Sequence, residues 1–383
     1  MSLPRLRYSL INCLVSIYCE TSLREILPVF MPKESLPAQS KRPLLTIAIP
    51  TCNRADCLRE LLSVLADQLK NEPRVELLIS DNASPDHTPT VVKNFIDRGL
   101  QVQYVRNAQN IGPDANFLQC FEKANGKYVW LFSDDDLIIP GGVSKILHYC
   151  ETADYDLISL RVYPFTEFHM PRSAGPRHDV IDISDPRDLA KRVHAMFALI
   201  SGNIINKETV QAAGPKPFSE LIGTGLVHLG WTYTALSRFS HGLYVYEKLI
   251  GIRLNNTGSY SLSQVLGSNL VAITRTWLQS ETVGQILING TIQRYWPGML
   301  FEYRNQPAGY FTDDKKPETV LTPLFGDNLR YWLFAYPIAV LPYYLSAGWL
   351  FMTQVINRLD RAAGYPTLDW GVRPSKPIQA NAH

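Results

Sequence analysis

Three consecutive carboxylates, Asp134, Asp135 and Asp136, follow an apolar run from Lys127 to Phe132, with only Ser133 between. The run reads as a buried strand, so three anions gather at one strand end and repel each other unless something cationic joins them. A divalent ion holding a diphosphate meets that need. Mg²⁺ and Mn²⁺ prefer oxygen ligands and take one or two carboxylates together with phosphate oxygens. A solvated acidic turn is the other reading, because Asp is ordinary turn and helix-start chemistry.

The elements upstream decide between these readings by where they place polar loops. Short β-like runs alternate with helix-like segments, the pattern of parallel βαβ units. Leu44 to Ile49 predicts a first strand, ending in Pro50-Thr51-Cys52-Asn53-Arg54 before a helix with Leu58, Leu61, Leu62 and Leu65 at helical spacing. Val75 to Ser80 predicts a second, running into Asp81-Asn82-Ala83-Ser84-Pro85-Asp86, with a helix start at Thr88. Val102 to Arg106 predicts a third, leading through Asn107 and Asn110 to Gly112-Pro113, where proline suits the first turn of another helix. The fourth strand carries the Asp triplet. In open α/β sheets the carboxyl ends of parallel strands gather into one crevice where ligands bind. Asp81, Asn107 and Asp134 to Asp136 would then face a shared site.

The motifs Thr46-Ile47-Ala48-Ile49-Pro50-Thr51-Cys52-Asn53-Arg54, Ile79-Ser80-Asp81-Asn82-Ala83-Ser84, Asn110-Ile111-Gly112, Gly126-Lys127-Tyr128-Val129-Trp130 and Ser133-Asp134-Asp135-Asp136 with Pro140 occur in that order. This succession resembles glycosyltransferase family 2 and covers roughly residues 43 to 160. The resemblance implies a GT-A, Rossmann-like α/β fold: a mixed, mostly parallel sheet flanked by helices. It implies a nucleoside-diphosphate sugar donor bordered by Pro50, Thr51, Asn53, Arg54, Asp81, Asn82, Asn110, Gly112 and Asp134. It also implies Mn²⁺ or Mg²⁺ held by Asp135 and Asp134. The family's usual metal motif reads Asp-x-Asp-Asp, and Ser133 stands where its first Asp often stands.

The chemistry implied is inverting displacement of a nucleoside diphosphate from a sugar by an acceptor hydroxyl, with a carboxylate as general base. Many members carry that base in a Glu-Asp dipeptide, and this chain has none. Glu220, His228 and Asp136 are the candidates: the first two from a segment that matches the acceptor side by position, the third as a carboxylate behind the metal or on the acceptor side. Processive synthases of the family usually carry Gln-x-x-Arg-Trp and several membrane spans. Gln293-Arg294-Tyr295-Trp296 matches that motif only superficially, which favours transfer of a single sugar.

At 383 residues, 46% hydrophobic and 19% charged, the chain is long enough for a catalytic domain with appendages. A net charge of +2 and the lack of a basic stripe interleaved with aromatics exclude a nucleic-acid partner. Six cysteines without paired spacing indicate neither zinc nor a disulfide framework, and imply a reduced, cytoplasmic setting. Residues 1–42 read as an N-terminal extension and linker, 43–260 as the GT-A domain and 261–383 as a helical C-terminal region. Within the GT-A domain, 43–160 is the nucleotide half and 161–260 the acceptor half, with 161–183 an irregular, Pro-rich insertion.

Tyr331 to Asn357 runs 27 residues without a charge, flanked by Arg330, Arg358 and Arg361. Pro337, Pro342 and scattered Trp and Tyr argue against a straight spanning helix and for two short helices lying in a membrane interface near anionic lipid. A span, or a helical pair packed on the catalytic domain, are the alternatives. The expected setting is peripheral, on the cytoplasmic face of the inner membrane. The expected acceptor is a polyprenyl-diphosphate-linked saccharide of bacterial surface-polysaccharide assembly, as in abequosyltransferase-like members of the family. The competing expectation is a non-catalytic nucleotide-sugar-binding or scaffolding subunit.

Overall fold

Leu45–Thr51 forms strand β1, and all seven of its residues are buried. A strand covered on both faces needs an apolar run rather than an alternating one, and Leu-Thr-Ile-Ala-Ile-Pro-Thr supplies it. β2 (Val75–Asp81) pairs with β1 in parallel, β3 (Gln103–Arg106) pairs with β2, and β4 (Tyr128–Leu131) pairs with β1 on its other side. The chain therefore moves outward from β1 to β2 and β3, then returns to β4. The order reverses between β1 and β4, and such a switch point opens a crevice at the carboxyl ends of both strands. All four predicted strands are present, with boundaries shifted by one or two residues.

The computed structural model describes residues 42–168, 179–254, 260–305 and 315–362. Most of the N-terminal extension and linker, with Cys13 and Cys19, lies outside the described residues. The sheet order is β3-β2-β1-β4-β8-β6-β9-β5, with β7 on β9. Here β5 is Leu137–Ile138, β6 Leu157–Phe165, β7 Val180–Ile183, β8 Asn203–Asn206 and β9 Gly242–Arg253. β8 runs antiparallel to both β4 and β6. The expected irregular insertion thus begins and ends in strands. Pro164 is tolerated in β6 because β8 pairs only with Leu157 to Ser159, so the later part of β6 needs no donor on that side.

On one face of the sheet α1 (Ala55–Leu69), α2 (Thr88–Asp97) and α4 (Gly142–Thr152) cover a cluster that includes Ile47, Leu58, Leu62, Val92, Trp130 and Ile146. The four leucines of α1 named by their spacing are all fully buried. On the other face lie α3 (Pro113–Lys123), α5 (Pro186–Val193), the short α6 (Lys207–Gln211) and α7 (His228–Ser237). α7 is buried from His228 to Leu236, and its Trp231 stacks on Phe121 with ring centroids 4.5 Å apart.

The C-terminal helices are α8 (Leu270–Trp277), α9 (Glu281–Arg294), α10 (Trp296–Asn305), α11 (Pro317–Phe325), α12 (Tyr336–Val340) and α13 (Tyr343–Ala362). Trp296, Leu300, Leu321, Tyr331, Ile338 and Leu350 share one apolar cluster with Leu118, Phe197 and Trp231. Among the described residues this cluster has members on both sides of residue 260. Leu341-Pro342 breaks the uncharged segment as expected, but α13, at 20 residues, is longer than a short interfacial helix. Among the described residues no helix is long and apolar enough to cross a membrane.

Candidate active site

Parallel pairing places Thr51 beside Asp81 and Asp81 beside Arg106, so three strand ends present polar side chains at one level. Asp81 is fully buried. Its Oδ1 accepts the Ser84 N–H at 2.8 Å, its Oδ2 accepts the Tyr104 hydroxyl at 2.6 Å, and Arg106 Nε lies 3.4 Å away. Burial, then the bond to Asp81, pushes the Tyr104 hydroxyl well above its ordinary value. The two turns beside Asp81 are tied together. Asn53 takes a positive φ of 56° and donates its N–H to Ser84, while Asp86 accepts the Ala55 and Thr88 N–H groups at the starts of α1 and α2.

Asn82 organises the next loop. Its Oδ1 accepts from Ile111 N and Asn107 Nδ2, and its Nδ2 donates to Asn110 Oδ1 at 2.8 Å and to the Gly112 carbonyl. Gly112 has φ 85°, a left-handed value that favours glycine, and hands the chain to Pro113 at the start of α3. Asn53 and Asn110 are exposed at the crevice edge, whereas Thr51, Asp81 and Asn82 are buried beneath it.

The acidic turn faces these loops across the switch point. Thr51 Oγ1 donates to Asp134 Oδ2 at 2.7 Å. Arg54 Nη1 lies between Asp134 Oδ1, at 3.2 Å, and Asp135 Oδ2, at 3.0 Å. Ser133 Oγ donates to Asp135 Oδ1. Asp136 turns away from this pair: its Oδ2 accepts the Ser201 hydroxyl at 2.6 Å and its Oδ1 the Arg253 backbone N–H at 3.1 Å. All three carboxylates are buried. Burial raises Asp134 to about 6, opposed by Arg54 and reinforced by Asp135. Burial, with Asp135 next, also raises Asp136 well above the usual carboxylate range.

Arg253, Tyr104, Arg106 and Glu60 escape a reading of the sequence, and so does the pairing of Ser201 with Asp136. β5 pairs antiparallel with the end of β9, Leu137 opposite Gly251, and this brings Arg253 beside the turn. Arg253 Nε donates to the Asp135 carbonyl, its Nη2 pairs with Glu60 of α1, and its guanidinium stacks 4.8 Å from the Phe165 ring centroid. Ser201 and Arg253 stand 65 and 117 residues from Asp136, so no local spacing marks them.

The three base candidates are not brought together. Glu220 is exposed on a short turn, Phe218–Leu221. His228 lies inside the fold: its Nε2 is 2.9 Å from the Ala198 carbonyl, its ring meets Phe117 edge-on, and Val129, Leu131 and Trp231 surround the same small space. Burial pulls His228 down to about 4. Asp136 alone sits in the acidic turn. Among the described residues no cluster of three or more His, Cys, Asp or Glu side chains forms a ready-made metal site. The adjacent Asp134 and Asp135 supply two carboxylates, a donor set that suits Mg²⁺ or Mn²⁺ when phosphate oxygens and water complete the shell.

A mostly parallel sheet with a reversal at β1, a polar rim at its strand ends and an acidic turn beside it define the GT-A class of nucleotide-sugar-binding folds. Residues 46–199 match the glycosyltransferase family 2 model, so this part of the chain is a glycosyltransferase family 2 domain. The chain is 36% identical over 110 residues to the abequosyltransferase RfbV of Salmonella typhimurium, a match spanning 28% of this chain and 33% of that protein. It is 30% identical over 107 residues to the GalNAc(5)-diNAcBac-PP-undecaprenol beta-1,3-glucosyltransferase of Campylobacter jejuni, spanning 27% and 34%. The matches thus cover about a third of these relatives' own length. Residues 1–349 of TarS from S. aureus, solved in complex with UDP-GlcNAc, superpose with a TM-score of 0.54 at 15% identity over 85% of this chain and 93% of that one. This likeness is one of fold.

Proposed function

We propose that the protein is a metal-dependent, inverting glycosyltransferase that moves one sugar from a nucleoside-diphosphate sugar to a lipid-linked saccharide in bacterial surface-polysaccharide assembly. The observation that carries this reading is the convergence of Thr51, Asp81 and the Asp134–Asp135 pair at the switch point between β1 and β4. Asp81, on the Thr51 side, is our candidate contact to the base or ribose; both its oxygens are engaged here, by the Ser84 N–H and the Tyr104 hydroxyl, so a nucleotide would displace one of these bonds. Asp134 and Asp135 would hold Mg²⁺ or Mn²⁺, which supplies Lewis-acid stabilisation of the departing diphosphate. The UDP-GlcNAc complex of TarS supports a nucleotide-sugar donor, and the name of the Campylobacter jejuni relative supports a polyprenyl-diphosphate carrier.

Asp136 is our general base. Of the three candidates it alone sits in the acidic turn, turned from the metal pair and held by the Ser201 hydroxyl and the Arg253 N–H, and it would have to be deprotonated to take the acceptor's proton. Glu220, exposed on its turn, and His228, held against the Ala198 carbonyl, have no bond to the acidic turn, so neither fits as well.

α13 supports a membrane-surface setting. Its inward residues include Ser346, Thr353 and Asn357, all buried, whereas Tyr344, Leu345, Phe351 and Leu359 are 80%, 60%, 63% and 67% exposed. A helix that turns polar residues inward and large apolar ones outward is suited to an apolar neighbour. Exposed Arg330 and Arg358 flank the face, and no acidic residue lies between Arg330 and Leu359, so we take that neighbour to be an anionic lipid surface.

The test is thermal stability against UDP, GDP, CDP and dTDP, each with and without Mn²⁺, followed by turnover of the sugars carried on the stabilising nucleotide. A ligand at 100 times its Kd stabilises by about 2.7 kcal/mol. A metal-dependent shift with one nucleotide, and a roughly 10²- to 10³-fold loss of turnover in Asp135→Ala, are expected. Full turnover in Asp135→Ala removes the metal assignment. Nucleotide binding without turnover in the wild type favours the scaffolding reading, for which Ser133 and the missing Glu-Asp dipeptide argue.

A further inference from the structure

Arg54 stands where the carboxylate pair is open to a cation. Of the four oxygens of Asp134 and Asp135, one accepts from Thr51 and one from Ser133, and the other two converge on the single nitrogen Arg54 Nη1. A divalent ion held by the pair would therefore compete with Arg54 for these carboxylates. Arg54 immediately precedes α1, and its side chain is 21% exposed, so it can move by side-chain rotation without disturbing β1 or the helix. Charge points the same way. Two carboxylates balance a divalent ion by themselves, which leaves the guanidinium surplus beside an incoming diphosphate, and its planar fork suits phosphate oxygens.

We infer that Arg54 has two positions: bridging Asp134 and Asp135, as seen here, and on the donor's diphosphate once a divalent cation occupies the carboxylates. The arginine competes with the bare cation and cooperates with the cation–diphosphate complex. This rests on the donor-site reading above and assigns Arg54 a role beyond lining that site.

Calorimetric titration of the full chain with Mn²⁺ alone, and with pyrophosphate at saturating Mn²⁺, tests it without knowing the nucleotide base. Arg54→Met, which keeps the apolar stem and loses the charge, is expected to bind Mn²⁺ alone about tenfold tighter and Mn²⁺-pyrophosphate about tenfold weaker than wild type. Arg54→Lys, which keeps a point charge without the planar fork, is expected to fall between them on both measures. Unchanged Mn²⁺ affinity in both variants overturns the competition, and unchanged pyrophosphate affinity overturns the second position. A structure of the unmodified protein with Mn²⁺ and pyrophosphate in which Arg54 still bridges both carboxylates overturns the inference whatever the variants do. No binding of Mn²⁺-pyrophosphate by the wild type overturns the donor-site reading, and this inference with it.

Discussion

Arg253 donates its backbone N–H to Asp136 Oδ1 at 3.1 Å, fixing the last carboxylate of the acidic turn to the end of β9. Its side chain continues the clamp through the Asp135 carbonyl and Glu60. Arg253→Met keeps the backbone bond and removes the rest, leaving a carbonyl and a half-buried carboxylate without their donor. The expected result is a stability loss of about 1–3 kcal/mol in denaturant unfolding and roughly tenfold lower turnover. An unchanged protein would show that the turn holds its shape without the Arg253 side chain.

Asp114, buried in the first turn of α3, ties the loop of residues 223–227 to that helix. Its Oδ2 accepts the N–H groups of Gly223 and Gly225, both at 2.8 Å, and its Oδ1 that of Val227. Asp114→Asn keeps the shape but turns an amide donor toward one of these N–H groups. A loss of about 2 kcal/mol is expected from this unmatched donor, with faster hydrogen exchange confined to residues 223–227.

Two glycines should respond oppositely to alanine. A Cβ on Gly126 would lie 2.6 Å from the Thr46 backbone nitrogen, a contact that only a backbone shift can relieve. Gly126→Ala should cost about 1–3 kcal/mol. A Cβ on Gly298, inside α10, meets nothing within 4 Å, and Gly298→Ala should add up to about 1 kcal/mol of helix propensity. Paired urea melts decide both.

Acid stability should carry the mark of His228. Burial lowers its folded-state value to about 4 from an ordinary 6.5, so between these limits the unfolded chain binds a proton that the native one does not. The stability contribution is complete above pH 6.5 and is lost as pH falls toward 4, at about 1.4 kcal/mol per pH unit. Asp134 and Asp136, raised by burial, work in the opposite sense over the same range, because their native forms hold protons that the unfolded chain releases. The clean measurement is therefore a difference. Between pH 6.5 and 4.5 the wild type should lose about 2–3 kcal/mol more than His228→Gln, measured by urea unfolding at each pH. Parallel curves would mean that His228 titrates normally.

The outward face of α13 makes a prediction about partition. The full chain should float with vesicles containing anionic phosphatidylglycerol and weaken as salt screens Arg330 and Arg358. Replacing Leu345 and Phe351 together with Ser should abolish flotation while leaving the melting temperature within a degree or two, since both side chains are exposed. Vesicle binding that survives the double replacement would place the contact elsewhere.

The β-strand and helix alternation from Leu45 to Leu131, the loops at the strand ends and the acidic turn were legible in the sequence, because each is written in local periodicity and turn chemistry. The burial of Leu58, Leu61, Leu62 and Leu65 follows from spacing alone. Partnership was not legible. Which cation lies on Asp134 and Asp135, which hydroxyl and N–H groups fix Asp136, and that His228 is a core side chain rather than a free base depend on contacts across 30 to 117 residues. The same holds for α13. Its uncharged run is visible as composition, but whether Phe351 or Thr353 faces inward is set by packing on α9 and α10. Sequence determines where polar groups must stand along the chain. Tertiary structure decides which of them meet, since pairing energies arise only when distant segments are brought within hydrogen-bonding distance and water is excluded.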